Sequence, residues 1–505
     1  MKRFTTHVTL AAALLLSMTS TALKAQISDA PTTGEYVTIQ LSQTKDKVLY
    51  AGVFAPDNDV WIDLNGDGEC QPKERIGRNT ERPEDYTDVF YDGPKTEIFE
   101  LVEGVQTLRI YGKIEALRFT DSETHTSPKT VDLSQCTALQ YFKLYECMDL
   151  EKIIPPLEEN DCCEMLSIQY TPLKSLDLSS FKKLIVLVAS FNKQLESVKL
   201  AECPEMFDLD CSFTKVSQVD LSKVPALTAL YLCMAQYSEI DLSLTPNLTL
   251  LSIGGNYLKN IDLSKTPKLT NLSLFDNELT TVDVSMLPNL EILELEQNNL
   301  KTVDVSKNKR LKELTIHVNE LSDLDLSMLS NLHLITLSDN NISEELMGKI
   351  VTKIPQCKEF NEDEEEEKAD LWGHCYVVNT PSPTSNVCNT LQVAELREKG
   401  WTPYDVNGGE PQGFMVNAVE YNGSTPTGIC TPIHEDEVKI AQTATRVQIQ
   451  GLNANTHVYL FNTSGELLQK YNSLRSSEVN IPTESYPAGT YFVSINNKSY
   501  KVILP

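Results

Sequence analysis

Residues Asp63 to Glu74 read DLNGDGECQPKE and carry side-chain oxygens at the spacing a divalent cation requires. Asp63, Asn65 and Asp67 stand at alternate positions, Gly68 supplies a sharp turn, Glu69 offers its carbonyl, and Glu74 closes the loop. Alternating oxygens followed by a bidentate glutamate suit calcium, which takes roughly six to eight oxygen ligands. Pro56 and strand-forming residues stand where an entering helix would be, and Cys70 replaces the usual apolar residue. That context argues against a helix–loop–helix sensor. Two readings stay open: a structural calcium in a β setting, or a plain Asn-Gly/Asp-Gly turn. Neither makes a cofactor a requirement.

The chain offers little else for catalysis. It has no nucleophile elbow, phosphate loop, H-E-x-x-H pair or dinucleotide fingerprint. Acidic pairs exist, but a chain with 71 Asp and Glu against 43 Lys and Arg produces them by chance. The expectation is a binding protein, not an enzyme. A net charge of −28 disfavours nucleic acid and anionic lipid as partners.

The elements that would position a binding surface announce themselves by repetition. The tripeptide D-[LV]-S recurs at Asp220, Asp241, Asp262, Asp283, Asp304 and Asp325, each 21 residues after the last. So regular a period means stacked coils of a solenoid. In one coil, LTLLSIGGNYLKNIDLSKTPK (Leu248 to Lys268), Leu251 and Ile253 alternate as in a strand, and Leu258 and Ile261 follow. Asn256, Asn277, Asn298, Asn319 and Asn340 hold one phase just after that strand. Turned inward, such an amide can satisfy backbone groups freed where the chain bends. Pro225, Pro246, Pro267 and Pro288 turn the opposite side.

L-x-x-L-x-L-x-x-N-x-L resembles the leucine-rich repeat, and coils this short are similar to the internalin-like class. The expected fold is an α/β-type leucine-rich-repeat solenoid, mostly β, with a curved parallel sheet and an irregular convex side. Earlier coils, starting at Leu139, Cys163 and Leu184, are looser. Cys147, Thr171, Thr214 and Ala235 replace the asparagine there, and Asn192 keeps it. Ten coils from Leu139 to Ile342 would make a rod of roughly 45–50 Å at ~4.8 Å per strand.

Phase then names the outward residues of the sheet. In the first coils they include Tyr141, Lys143, Tyr145, Asp208, Asp210 and Tyr231; farther on come Phe275, Glu294 and Glu296. Tyr170, Phe191, Phe213 and Met234 share one column on successive coils. Such a column either stabilises itself or serves as an interface hot spot. A partner is expected to be a protein or glycan on host or neighbouring cells. The alternative is a structural cell-surface or biofilm component with the solenoid as a spacer.

The remaining segments flank this rod. Residues 1–25 carry Lys2 and Arg3, an apolar run from Val8 to Leu16 and small residues near Ala22 and Ala25, the pattern of a secretory signal peptide. No other apolar run is long enough to span a bilayer. Residues 27–105 read as a small β domain capping the stack, and 106–342 as the solenoid. Residues 343–409 read as its C-terminal cap, with a helix over Ser343–Gln356, a strand at Cys375–Val378 and a helix around Leu391–Lys399. Residues 410–430 read as a linker, and Glu362 to Glu367 as a solvated acidic loop. Of the 12 cysteines, Cys147, Cys163 and Cys211 take inward positions and read as buried thiols, whereas Cys357, Cys375 and Cys388 are better bridge candidates.

Residues 431–505 read as a β-sandwich. Its segments Val458–Gly465 (VYLFNTSG) and Tyr486–Tyr491 (YPAGTY), with Lys501 near the end, resemble the C-terminal sorting domain of the type IX secretion system of Bacteroidetes. The resemblance implies passage through both membranes, removal of this domain, and attachment at the outer cell surface or release.

Overall fold

The computed structural model describes residues 34–42, 48–55, 60–76, 97–120, 126–157, 162–358, 372–408, 418–424, 439–442 and most of 446–504. The expected signal peptide, the acidic run 362–367 and linker residues 410–417 and 425–430 lie outside them. The chain divides into two compact units, Met1–Leu279 and Thr280–Pro505.

In the first unit the coil strands are Ala116–Thr120, Tyr141–Tyr145, Met165–Gln169, Val186–Val188, Asp208–Asp210, Ala229–Tyr231, Leu250–Ser252 and Asn271–Ser273. They pair in parallel, Leu251 opposite Leu272 and Leu230 opposite Leu251, so the 21-residue period is the sheet register itself. Each strand is only a few residues long because the chain must leave the sheet to complete its coil. Opposite this sheet the early coils add short parallel strands, Ser175–Leu178 beside Ser197–Leu200. Later coils replace them with turns in which the aspartate of D-[LV]-S accepts the serine N–H two residues on, as Asp241 does from Ser243 at 2.9 Å.

The amino-terminal β domain does more than sit on the stack. Val48–Phe54 pairs antiparallel with the first coil strand, Ala116–Thr120. Tyr36–Leu41 pairs with Pro128–Gln135 on the other layer. Both layers of the solenoid therefore continue into the cap, and Thr107–Tyr111, expected to begin the stack, instead pairs antiparallel with Tyr36–Leu41. Trp61 is buried and stacks on Tyr111 at 4.5 Å.

The asparagines turn inward as expected. Asn256 Nδ2 donates to the carbonyls of Leu232 (2.9 Å), Ile253 (2.9 Å) and Gly254 (3.1 Å), and its Oδ1 accepts from Tyr237 N. Asn277 repeats the pattern on Ile253, Leu274, Phe275 and Leu258 N. Thr214, in the same phase, gives only one bond to Cys211 O and one from Val216 N. The polar rungs are therefore poorer where the repeat is looser.

In the second unit Ile292–Glu294, Glu313–Thr315, Leu334–Thr336, His374–Val378 and Thr402–Asp405 pair in parallel. Two helices close this end. Glu344–Lys353 is capped by Ser343, whose Oγ accepts from Leu346 N, and Thr390–Glu398 by a capping box of Asn389 and Gln392. Residues 418–424, within the segment read as linker, lie on the cap: Val419 and Glu420 pair antiparallel with Asp405 and Tyr404. Cys357, Cys375 and Cys388, expected as bridge candidates, are free and buried. They serve as small apolar side chains.

The carboxy-terminal segment forms two antiparallel sheets over one core. Val447, Ile449, Val479 and Ile481 of one sheet meet Val458, Leu460, Val493 and Ile495 of the other. Gly465 takes φ +81° at a turn, whereas Gly489 opens the strand Gly489–Ile495.

Removing one rung tests this account of the core. Asn277→Ala strands several buried backbone groups, each costing about 1–3 kcal/mol. It should destabilise more than the convex change Asp262→Ala, which sits at an exposed turn. Equal midpoints in urea for the two variants would contradict the inward role of the asparagine.

Candidate functional site

The outward side of the sheet is built by strand alternation. Leu209 and Leu230 point into the coil, so Asp208 and Asp210, and Ala229 and Tyr231, share the opposite face. Register places Val186 opposite Asp208 opposite Ala229, and Val188 opposite Asp210 opposite Tyr231. Side chains of adjacent coils therefore stand in columns a strand apart.

One column is aromatic. Tyr145 meets Tyr170 edge-on at 5.3 Å, Tyr170 stacks on Phe191 at 4.7 Å, and Phe191 stacks on Phe213 at 4.6 Å. All four are half-buried, so the ladder shows its ring edges to solvent. Tyr170, Phe191, Phe213 and Met234 all take positive φ, from 50° to 63°. The left-handed conformation is uncommon for such residues. It is imposed by the bend at the strand end, where Phe191 N donates to Ser212 O and Phe213 N to Cys233 O. The ladder ends over two glycines: Met234 occupies the space a side chain at Gly255 would need, and Phe275 does the same at Gly254.

Other expected surface residues behave differently. Tyr141 is 1 % exposed and packs with Phe54, Ala116, Met165, Val186 and Val188, and Lys143 is 2 % exposed. Neither is open to a partner: an apolar column runs through Tyr141, and Lys143 lies between Arg118 and Ser167 on the adjoining strands, a burial the repeat phase alone does not reveal. Phe275 is also buried.

The carboxylates are the electrostatic feature. Burial, and then the neighbouring Asp210, push the Asp208 carboxyl up to about 8. Asp210 is raised by burial although the Ser212 N–H and hydroxyls of Ser212 and Ser190 stabilise its charge. In the second unit Glu296 rises to about 8 through burial and the neighbouring Glu294, while accepting a hydrogen bond from Thr315. Burial lowers His317 to about 4, and its Nδ1 lies 2.9 Å from Thr336 Oγ1.

A second aromatic group was not legible from the repeat. His333 stacks on Trp372 at 3.9 Å, Tyr404 stacks on Tyr376 at 5.3 Å, and Tyr404 Oη lies 3.3 Å from His374 Nε2. His333 is the member of the group that lies within the regular repeat; Trp372, His374, Tyr376 and Tyr404 sit on or beside cap strands whose spacing departs from 21, so phase could not be carried to them. The same holds for Asn386. Its Nδ2 donates to Leu337 O (2.6 Å) and Val377 O (2.8 Å) while its Oδ1 accepts from Asn340 N and Ile342 N, extending the asparagine ladder by one coil. Asn298, Asn319 and Asn340 are the rungs before it; Asn319 Nδ2 donates to Leu295 O at 3.0 Å.

At the loop 63–74, Asp63 accepts from Gly66 N and Gly68 N, Asn65 Oδ1 from Asp67 N, and Asp67 Oδ1 from Glu69 N. Glu74 is fully buried and accepts from Leu64 N (3.1 Å) and Gln71 N (2.9 Å). The loop is thus held shut by its own carboxylates. Each oxygen keeps a further lone pair, so the donor chemistry still suits a hard cation. Among the described residues no three His, Cys, Asp or Glu side chains group as a metal site would.

Parallel strands in a 21-residue register with an inward asparagine per coil define a leucine-rich-repeat solenoid. Residues 438–504 match the family described as the secretion system C-terminal sorting domain. The chain is therefore an exported leucine-rich-repeat protein, sent by type IX secretion to the cell surface. No helix among the described residues is long and apolar enough to cross a membrane. Among solved structures, the functional domain of InlJ from Listeria monocytogenes, which includes a cysteine ladder, is 18% identical over 77% of this chain and 80% of that one, with a TM-score of 0.42. An internalin (inlF) from Listeria monocytogenes is 19% identical over 46% and 81%, with a TM-score of 0.36. YopM from Yersinia enterocolitica is 22% identical over 41% and 50%, with a TM-score of 0.32. No curated protein matches the chain.

The buried carboxylate gives a signed prediction. Unfolded, Asp208 titrates near about 4; folded, it titrates at about 8. Between these values the folded chain holds a proton that the unfolded chain has lost, so its contribution to stability is full at low pH and declines as pH rises through the folded value. The melting temperature of Asp208→Asn minus that of the parent should therefore grow as pH rises from about 5 to about 8. A constant difference across that range would show that the carboxyl is not buried as described.

Proposed function

We propose that this protein binds a macromolecular partner, a protein or glycan on host or neighbouring cells, through the outward face of its parallel sheet. The observation that carries the reading is the ladder Tyr145, Tyr170, Phe191, Phe213, stacked yet half-exposed. Aromatic side chains held rigid at a surface lose little entropy on binding and are the residue types in which binding energy concentrates. An extended parallel sheet presents a broad surface of the kind solenoids use for recognition. After export, the sorting domain is removed and the solenoid is retained at the surface or released.

Binding of labelled protein to intact host and bacterial cells should be saturable. Phe191→Ala should weaken it by about tenfold or more, as expected when a hot-spot side chain is lost, with a cooperative melt retained. Binding that never saturates would favour the other reading, a structural cell-surface or biofilm component that uses the solenoid as a spacer. Deleting residues 446–505 should leave a folded solenoid trapped in the periplasm. A truncated chain at the surface, or a surface form that retains Lys501, would count against sorting by this domain.

For the loop 63–74 we propose a structural calcium held by Asp63, Asn65, Asp67, the Glu69 carbonyl and Glu74. Millimolar calcium should raise the melting temperature and Glu74→Ala should abolish the rise. A melting curve indifferent to calcium and chelator reduces the loop to a turn.

A further inference from the structure

Asp208, Asp210 and Tyr231 form a polar group that the aromatic ladder does not explain. Asp208 is 5 % exposed, and the charge that acts on it is the like charge of Asp210. Tyr231 is 9 % exposed, and its hydroxyl is buried with no hydrogen-bond partner. Asp210 and Tyr231 face one another across adjacent strands, and both aspartates lie close enough to act electrostatically on the phenol. A fold gains nothing by withdrawing one carboxylate and a hydroxyl from water beside a second carboxylate without a counter-charge. Such a cost is characteristic of a site awaiting a ligand.

We propose that this group receives the guanidinium of an arginine from the partner protein, inserted against the outward face of the sheet. The proposal rests on reading that face as a binding surface. The two carboxylates lie two residues apart on one strand, about 7 Å, and a planar fork with about five N–H donors can serve both and still reach a neighbouring group. A compact ammonium serves one carboxylate at a time. Asp210 is half-buried, so the group opens to solvent on its side. With only two carboxylates it does not make a metal site.

The full chain, labelled with ¹³C-tyrosine and with Tyr231 assigned by its loss in Tyr231→Phe, should be titrated with acetyl-argininamide and with its neutral isostere acetyl-citrullinamide. The arginine compound should shift the Tyr231 resonance saturably and the citrulline compound should not. Asp208→Asn combined with Asp210→Asn should weaken arginine binding by roughly tenfold or more, since charge-assisted bonds are lost, while melting at or above the parent temperature. Equal response to citrullinamide, no response to argininamide, or an unchanged affinity in the double variant would overturn the proposal. Should the double variant not fold, Asp210→Asn and the arginine–citrulline contrast on the parent chain decide the matter. Saturable cell binding that persists without arginine binding removes only this inference. Arginine binding without a cellular partner removes the wider reading and leaves the site.

Discussion

The structure depends on one recurring obligation: each coil must bend out of the sheet inside a dry interior. The bend detaches carbonyls from the strand ladder, and buried carbonyls without donors are expensive. One asparagine per coil meets the need, because its amide carries two donors and an acceptor on a short stem. Asn256 and Asn277 each bridge carbonyls of their own coil and the preceding one, so the same side chain that closes a coil also fixes its neighbour's position. Register, spacing and inward leucines follow from that tie.

Once the inside is fixed, the outside is free, and the chain uses that freedom unevenly. In the first unit the outward columns are apolar, then aromatic and acidic; in the second, Glu294, Glu296 and Glu313 precede the rings of His333, Trp372, Tyr376 and Tyr404. The bend demands positive φ at one position of every coil, yet the side chain there is set by its lateral neighbours, giving Tyr170, Phe191 and Phe213 instead of glycine or asparagine. Stacking between coils offsets backbone strain, and the ring edges are left outward. A device that helps to hold the coils together thereby also supplies a recognition surface.

What could be read from sequence follows the same division. The strands, the asparagine rungs and the aromatic ladder were legible because a strict period carries phase from coil to coil, so that naming Phe191 and Phe213 as neighbours required only counting. Tyr141 and Lys143 were misjudged, since phase gives direction but not whether an outward column is covered. Asn386 and Tyr404 were missed because the cap abandons the period while keeping the geometry. The pairing of Val48–Phe54 with the first coil was hidden for a related reason: antiparallel partners distant in sequence leave no periodic trace.

The two kinds of buried polar group in this protein make opposite statements about its purpose. The asparagines are fully bonded, neutral and replaceable only at a loss of stability; they serve the fold. The Tyr231 hydroxyl is buried with nothing to bond, and Asp208 is buried beside the like-charged Asp210; they work against it. A solenoid is able to bear such a group because its stability is a sum of local coil and interface contributions, so a weak coil is supported by strong ones on either side. Asn192 and Asn256, with full sets of amide bonds, flank the coils where Thr214 and Ala235 stand in the asparagine phase. The acidic group lies on those same coils. Local stability is thus lowest where the unpaired chemistry is concentrated, as expected of a surface kept for a partner and not for the fold.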